Sequence, residues 1–337
     1  MATIYEGKDL RYGFAEQAAF DTAVVDSAAF TEVNLEDIGI TQDIRVTEIP
    51  GVHATKNEIY RNSVIHTSGS MANFSTSGPF TLDGGDYWLY SHFQKVTEGA
   101  ASPFTKTYNY FITQPDFSSD EGIFLTWVKR FPEASTSWKV SSCISNSLKL
   151  SCERDGFLQY EGGWISKGAV DVTANPSGTW SFEGSAGSSY GMLHFNDIDK
   201  VTADFGAGAV NLTLQSFEIQ GSYDVEGVSP DGAGGWSNFG LSNRKGTFSL
   251  SLLQDTAVET ALTNCTTDTP ITVVIGWGIA GAAIDRSLQI TFTGKIEDIS
   301  INADGLLGAT ITGKIVAADA SSEPLTIIMS NDTDRTW

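Results

Sequence analysis

One stretch of this sequence occurs twice, and it constrains the fold more than any other feature. The first copy is 146–164, NSLKLSCERDGFLQYEGGW, and the second is 298–314, DISINADGLLGATITGK. In each copy, alternating apolar residues lead to an Asp-Gly pair, at 155–156 and at 304–305. Asp-Gly between two alternating segments is a strong β-hairpin signal. The two copies predict a duplicated β domain, with two unrelated hairpins as the alternative.

The order of the other elements supports duplication. Each half shows a strand, a long loop, a strand, a short helix, further strands and the hairpin, with helices expected near 84–96 and 255–264. We expect a mainly β protein with two tandem β-sandwich or barrel domains, each with one short flanking α-helix. The predicted division is a first domain with an N-terminal arm at 1–175, a Gly/Ser-rich linker at 176–190 and a second domain at 191–337.

Charge and hydropathy narrow the function classes. The 337 residues include 20 basic and 41 acidic ones, which gives a net charge of −21. Such a chain repels free DNA and anionic membranes. The N-terminal MATIYEGKDLRYGFAEQ lacks the apolar core of a signal peptide, and the most apolar run, 271–284, is too short to span a bilayer. We therefore expect a soluble chain made in a cytoplasm.

Three cysteines, Cys143, Cys152 and Cys265, cannot all pair with one another. In a cytoplasmic protein, reduced and buried thiols are the expected state.

The sequence carries no motif that points to catalysis. G-x-S-x-G, a P-loop, H-E-x-x-H and a calcium loop are all absent, and the four histidines are scattered. We therefore predict no enzyme activity, no cofactor, and no catalytic or metal-ligating residue. A zinc site built from residues on different strands stays open at this point.

A glycine-rich segment at 226–245, EGVSPDGAGGWSNFGLSNRK, is predicted to be a long loop between two strands. Loops above ~12–15 residues are uncommon in compact domains and are often functional. The apolar residues of this segment are the candidates for inter-subunit contact, namely Trp236, Phe239 and Leu241. We expect the loop to become ordered only on assembly, because fixing its backbone costs roughly 1–2 kcal/mol per residue.

Four segments together resemble the tail tube (major tail) proteins of long-tailed, siphovirus-like bacteriophages. These are WKVSSCISNSLKLSCERDGFLQYEGGW, LTLQSFEIQGSY, RKGTFSLSLLQDTAVETAL and the N-terminal GKDLRYGFAEQAAFDTA. In that family, a β-sandwich carries one short helix and a long loop that reaches a neighbouring subunit or ring. The inner strands of all subunits join into one barrel around the DNA channel.

The resemblance implies a structural virion protein that self-assembles into stacked rings, forming a channel for DNA delivery. Because both halves carry the helix and the hairpin, it implies two tail-tube-like domains per chain and homotrimeric rings with pseudo-sixfold symmetry. The implied partners are further copies of the chain and the tape measure, tail terminator and tail tip proteins. DNA would pass through the lumen without specific binding, and no membrane is involved. The implied location is the virion tail, assembled in the host cytoplasm.

The net charge suggests a channel lined mainly by Asp and Glu, along which DNA slides. A carbohydrate-binding β-sandwich protein, with or without glycosidase activity, is the alternative from another class. Its support is the seven tryptophans between Trp88 and Trp277 and the N-glycosylation sequons, while the missing signal peptide counts against it.

Overall fold

The protein is mainly β, as predicted. The computed structural model describes residues 10–18, 22–33, 40–48, 65–82, 84–99, 104–110, 123–131, 136–182, 191–206, 208–230, 236–253, 258–260, 263, 269–279, 286–302, 308–319 and 321–331.

Eleven strands and one helix make up the first half. They are β1 (Arg11–Glu16), β2 (Phe30–Val33), β3 (Thr41–Glu48), β4 (Ile65–Pro79), α1 (Gly85–Phe93), β5 (Val96–Glu98), β6 (Phe104–Asn109), β7 (Leu125–Arg130), β8 (Thr136–Glu153), β9 (Gln159–Ile165), β10 (Asp171–Ala174) and β11 (Trp180–Phe182).

The second half begins with a 3-10 turn at Phe195–Asp197. Its strands are β12 (Ile198–Asp204), β13 (Ala209–Asn211), β14 (Leu214–Pro230), β15 (Trp236–Leu253), β16 (Ile271–Ile279), β17 (Arg286–Asn302), β18 (Gly308–Ile315) and β19 (Leu325–Asn331). Residues 258–260 and 263 are helical, within the range predicted for the second helix.

Helix α1 is held in place by buried apolar side chains and by an ion pair with β6. Trp88 and Leu89 are buried in the core. Asp86 accepts a hydrogen bond from the Lys106 ammonium of β6 at 3.1 Å, and both side chains are buried. The helix begins after Gly84, which makes no side-chain capping hydrogen bond. A buried pair of this kind is costly to break, because it leaves one charge unpaired.

The same set of strand pairings occurs once in each half. In the first half, β1 pairs with β2 and β7, β8 pairs with β7, β9 and β10, and β4 pairs with β3 and β9. In the second half, β12 pairs with β13 and β16, β17 pairs with β16, β18 and β19, and β15 pairs with β14 and β18. Four neighbouring strands therefore follow the order β3-β4-β9-β8 in the first half and β14-β15-β18-β17 in the second. We call these eight strands the inner sheet.

Bulges in the two hairpins align these halves residue by residue. The register of β8 on β9 shifts at Asn146, and that of β17 on β18 shifts at Glu297. Counting from these bulges, Leu150 corresponds to Ile301. The Asp-Gly turn of the first hairpin forms as predicted: Asp155 has a φ of 63°, a value open to few residues, and the turn of the second hairpin lies outside the described residues.

The two halves are joined by hydrogen-bonded strands. β14 pairs with the C-terminal part of β8 from Ser216↔Glu153 to Ser222↔Ser147, and β6 pairs with β19. Residues of both halves also belong to one apolar core. The division at 176–190 stays a prediction, and most of that segment lies outside the described residues or at their margin.

Stacked aromatic rings form the centre of the core in the first half. The Trp88 ring lies 5.4 Å from Trp127 and 5.1 Å from Tyr160, nearly parallel to both. All three are buried, as are Trp164 and, in the second half, Trp277. Four of the seven tryptophans that the structure describes are therefore core residues rather than surface rings.

The segment 226–245 is not a long loop, so that prediction is wrong. β14 and β15 stay paired along it, from Asp224↔Ser242 to Pro230↔Trp236, and only the tip at 231–235 lies outside the described residues. Gly227 lies against the Trp236 indole, where a side chain would collide with the ring. The glycine therefore serves close packing rather than flexibility. We call residues 224–242 the hairpin arm.

We predict that the hairpin arm contributes to the stability of a single chain. Phe239 and Leu241 are buried in a small apolar cluster with Ile144 and Met71. Phe239→Ala should lower the free energy of unfolding by about 3–5 kcal/mol, since it leaves a cavity. Denaturant unfolding of the monomer measures this, with Val210→Ala on an exposed strand as the control, expected within about 0.5 kcal/mol of wild type. An unchanged Phe239→Ala protein would show that the arm is not packed before assembly.

Candidate functional site: two open strand edges

Two strand edges of the inner sheet are unpaired within the described part of the chain. β17 has β16 on one side up to Gly294 and β18 on the other, so beyond Gly294 the β16 side is open. β3 is paired on one side, with β4. A long open edge is a template for another strand.

The chain already contains the junction that these two edges could form. β17 corresponds to β8, and β3 corresponds to β14, in the repeated set of pairings. The side of β8 that corresponds to the open side of β17 is occupied by β14: Lys149 pairs with Glu161 of β9 on one side and with Gln220 of β14 on the other. The open edge of β17 therefore corresponds to the β8 side of the β8–β14 junction, and the open edge of β3 corresponds to the β14 side.

Ile301 shows what the open edge lacks. Its counterpart Leu150 is 1% exposed and has Ile219 of β14 as its cross-strand neighbour. Ile301 is 54% exposed. Covering an isoleucine side chain stabilises an association by roughly 1.5–3 kcal/mol. By the alignment of the halves, the residue that would lie opposite Ile301 is Ile40, which immediately precedes β3.

The face of the inner sheet that points away from the core is rich in hydroxyl groups. Cross-strand partners place neutral polar side chains there from all eight strands: Thr41, Asn73, Ser75, Ser77, Ser147, Ser151, Gln159, Ser216, Gln220, Ser222, Thr247, Ser249, Ser251, Ser300, Thr310 and Thr312. A groove of about 400 Å³ opens on this face beside the bulge at Asn146.

Charges of both signs lie on the same face, where cross-strand partners also place Glu153, Lys245 and Asp298. Lys149 lies 2.8 Å from Glu161 and 3.7 Å from Glu218. These carboxylates raise the pKa of the Lys149 ammonium, with the Glu161 hydrogen bond as the largest cause. In the second half, Lys314 pairs with Glu297. The described part of this face is thus mainly neutral.

Side chains lock the existing junction between the halves. The His92 ring of α1 stacks on Tyr110, at 5.6 Å between centroids, and on Tyr223 of β14, at 5.2 Å. Tyr110 donates to the carbonyl of Ser222 at 2.8 Å, and Tyr223 donates to that of Ser145. We call His92, Tyr110 and Tyr223 the junction lock.

The junction lock is closed to solvent, and the Arg244 guanidinium lies over the Tyr110 and Tyr223 rings. Burial, and secondly the Arg244 guanidinium, lower the pKa of His92 from 6.5 to about 3. Burial raises the pKa of Tyr110 to about 12. Gly221 makes room for the imidazole, because a Cβ there would lie 2.9 Å from Nε2. A buried neutral histidine without access to a substrate packs the halves together rather than transferring protons.

The three contact candidates from the sequence lie in the hairpin arm. Phe239 and Leu241 are buried within the chain, and Trp236 is partly buried against the same cluster. Their proposed role between subunits stays a prediction. The sequence pattern did not predict the open edges or the exposure of Ile301, although Ile301 stands at the position of Leu150 in the repeated hairpin.

The described residues offer no metal site built from three or more His, Cys, Asp or Glu side chains. Cys143 and Cys152 are free and buried, as expected, and burial raises the pKa of both thiols, that of Cys152 to about 12. Cys265 lies outside the described residues. Of the helices that the structure describes, none is long and apolar enough to cross a membrane.

No protein-family model matches this sequence. A comparison with curated proteins likewise finds no match.

We predict that the junction lock makes the protein less stable in mild acid. The unfolded chain takes up a proton on His92 below pH 6.5, whereas the folded chain does so only near pH 3. The contribution of His92 to stability is therefore complete above pH 6.5 and is lost as the pH falls towards 3. His92→Phe keeps the ring stacking and removes the titration.

Between pH 7 and pH 5, the free energy of unfolding should fall by about 2 kcal/mol less in His92→Phe than in wild type. Denaturant titrations of both proteins at the two pH values measure the difference. Equal losses in both proteins would show that His92 is accessible to protons in the folded state.

Proposed function

We propose that this protein is a tail tube protein that assembles into stacked rings around a DNA channel. The observation that carries the proposal is the pair of open edges, β3 and the C-terminal part of β17, which reproduce the two sides of the β8–β14 junction. A chain that carries both sides of one junction at its two ends associates head-to-tail, and such contacts close into a ring when the rotation permits.

The internal junction also sets the register between chains. Gln220↔Lys149 and Ile219↔Leu150 in β14–β8 correspond to Thr41↔Ser300 and Ile40↔Ile301 between neighbouring chains. Three chains would supply six blocks of four inner strands. That number matches the homotrimeric, pseudo-sixfold ring that the sequence resemblance implies.

The hydroxyl-rich face supports a channel wall of a different kind from the one expected. A wall made of the described strands would present mainly neutral hydroxyl and amide groups, not mainly Asp and Glu. Neutral groups neither hold phosphates, as a basic surface does, nor repel them. DNA could slide along either kind of wall.

The carbohydrate-binding alternative loses part of its support. Sugars stack on exposed aromatic faces, but Trp88, Trp127, Trp164 and Trp277 are at most 4% exposed. The groove beside Asn146 includes Phe74 and Trp164 in its lining, and both of these rings are buried. Tail assembly, with the tape measure, terminator and tip proteins as partners, remains the function we propose.

A disulfide cross-link tests the register between chains. We predict that Thr41→Cys combined with Ser300→Cys forms a disulfide between chains on mild oxidation, giving covalent trimers by mass spectrometry. Gln220→Cys with Lys149→Cys is the matched control at the internal junction, and it should form the same bond within one chain. Peptide mapping separates these bonds from any formed by native cysteines. If the control pair oxidises while residues 41 and 300 do not cross-link, the proposed edge pairing is wrong.

Loss of the apolar contact at the edge should prevent ring formation. We predict that Ile301→Asp stays a folded monomer at concentrations where wild type forms rings, because a carboxylate would be buried in the junction. Electron microscopy and light scattering distinguish the two states. Val25→Asp is the control: Val25 is 66% exposed and belongs to neither edge, so this variant should form normal rings. Wild-type protein that never forms rings would contradict the proposed function itself.

A further inference from the structure

Two pairs of exposed apolar side chains lie at opposite ends of the first half. Trp138 near the start of β8 is 38% exposed, and its cross-strand partner Val172 in β10 is 66% exposed. Phe157 follows the other end of β8 and is 45% exposed. Met192, at 38%, shares its face, because Phe157 pairs with His194 two residues further on. We call these the start patch (Trp138, Val172) and the tip patch (Phe157, Met192).

The second half shows that the start patch is an uncovered part of a core. The counterparts of Trp138 and Val172 are Ile290 and Ile327, which pair in the same way and are fully buried. Ile327 has a further neighbour, Tyr108 of β6. In the described residues, β10 has β8 on one side and no strand on the other. The position that β6 covers in the second half is therefore open in the first.

The flanks of the two patches carry opposite charges. The Lys129 ammonium lies 6.0 Å from the centroid of the Trp138 ring, and Lys129 is a cross-strand partner of Trp138. The tip patch is surrounded by exposed carboxylates and one guanidinium, from Glu153, Asp155, Asp197 and Arg154. The start patch is therefore an apolar surface with a basic flank. The tip patch is an apolar surface with a mainly acidic flank.

We propose that the start patch docks the tip patch of a second copy of this chain, so that rings stack head-to-tail. The sixteen residues of β8 from Trp138 to Glu153 span at most about 50 Å, at about 3.3 Å per step. The two patches lie at the opposite ends of this strand. Different surfaces at opposite ends form a heterologous contact that repeats without closing, which builds a filament.

This inference rests on the proposed ring and adds the surface through which rings stack. Each ring would offer three start patches on one face and three tip patches on the other. The edge pairing and the end-to-end docking use different residues, so each can be removed without the other.

Single charges placed in either patch test the docking. Trp138→Asp and Phe157→Asp should each form rings of wild-type size but no tubes, with the critical concentration for tubes raised more than about tenfold. Electron microscopy and sedimentation velocity measure rings and tubes, and unchanged circular dichroism checks the fold. Val25→Asp, exposed but in neither patch, should form tubes normally. Tubes at wild-type concentration from either patch variant would overturn the proposal.

Mixing the two variants tests that the patches bind each other. Rings of Trp138→Asp keep an intact tip patch, and rings of Phe157→Asp keep an intact start patch. The mixture should therefore form pairs of rings that grow no further. A mixture that stays as single rings would show that the patches are not partners.

The outcome for wild type separates this proposal from the one on which it rests. Tubes from wild type and from both patch variants alike contradict the docking alone. Wild-type protein without rings contradicts the proposed function.

Discussion

The structure depends on the need of each strand edge for backbone hydrogen-bond partners. Inside the chain, β14 meets this need for β8 over seven residue pairs, from Ser216↔Glu153 to Ser222↔Ser147. At the ends of the inner sheet, β3 and β17 have the same need and, in the described residues, no strand to meet it. Water can bond to such edges, but water does not cover Ile301. An edge with an apolar residue at a normally buried position favours another strand over solvent.

The junction between the halves and the proposed junction between chains differ in the side chains that can hold them. At the internal junction, Gly221 admits the His92 ring, and Tyr110 and Tyr223 bond to backbone carbonyls across it. At the external one, the position of Gly221 is taken by Gln42. Tyr110 follows β6, and in the described residues of the second half no strand lies between the helix and β16. The proposed junction between chains would therefore lack the lock that holds the halves together.

The sequence predicted elements whose signals are local. The mainly β fold, α1 and the Asp155-Gly156 hairpin follow from alternation, helical spacing and turn chemistry within a few residues. The hairpin arm was missed because its glycines were interpreted as flexible, whereas Gly227 lies under Trp236. Phe239 is buried by residues distant in the sequence, so no local pattern shows it. The open edges were missed for the same reason. Alternation predicts that Leu150 and Ile301 point to the same face, but it does not predict the strand order, which covers Leu150 and leaves Ile301 exposed.

The location of the acidic charge follows from the same strand order. The face of the inner sheet carries mainly serine and threonine. Of its carboxylates, Glu161 and Glu218 are paired with Lys149, and Glu153 and Asp298 lie on the same face. Much of the net charge of −21 therefore lies elsewhere, including the exposed carboxylates around Phe157. Like charges keep free chains apart over about 8–10 Å at moderate salt. In the proposed docking, the acidic end of one copy would meet Lys129 beside Trp138 of the next. Repulsion in solution and attraction on docking thus come from one arrangement of charges.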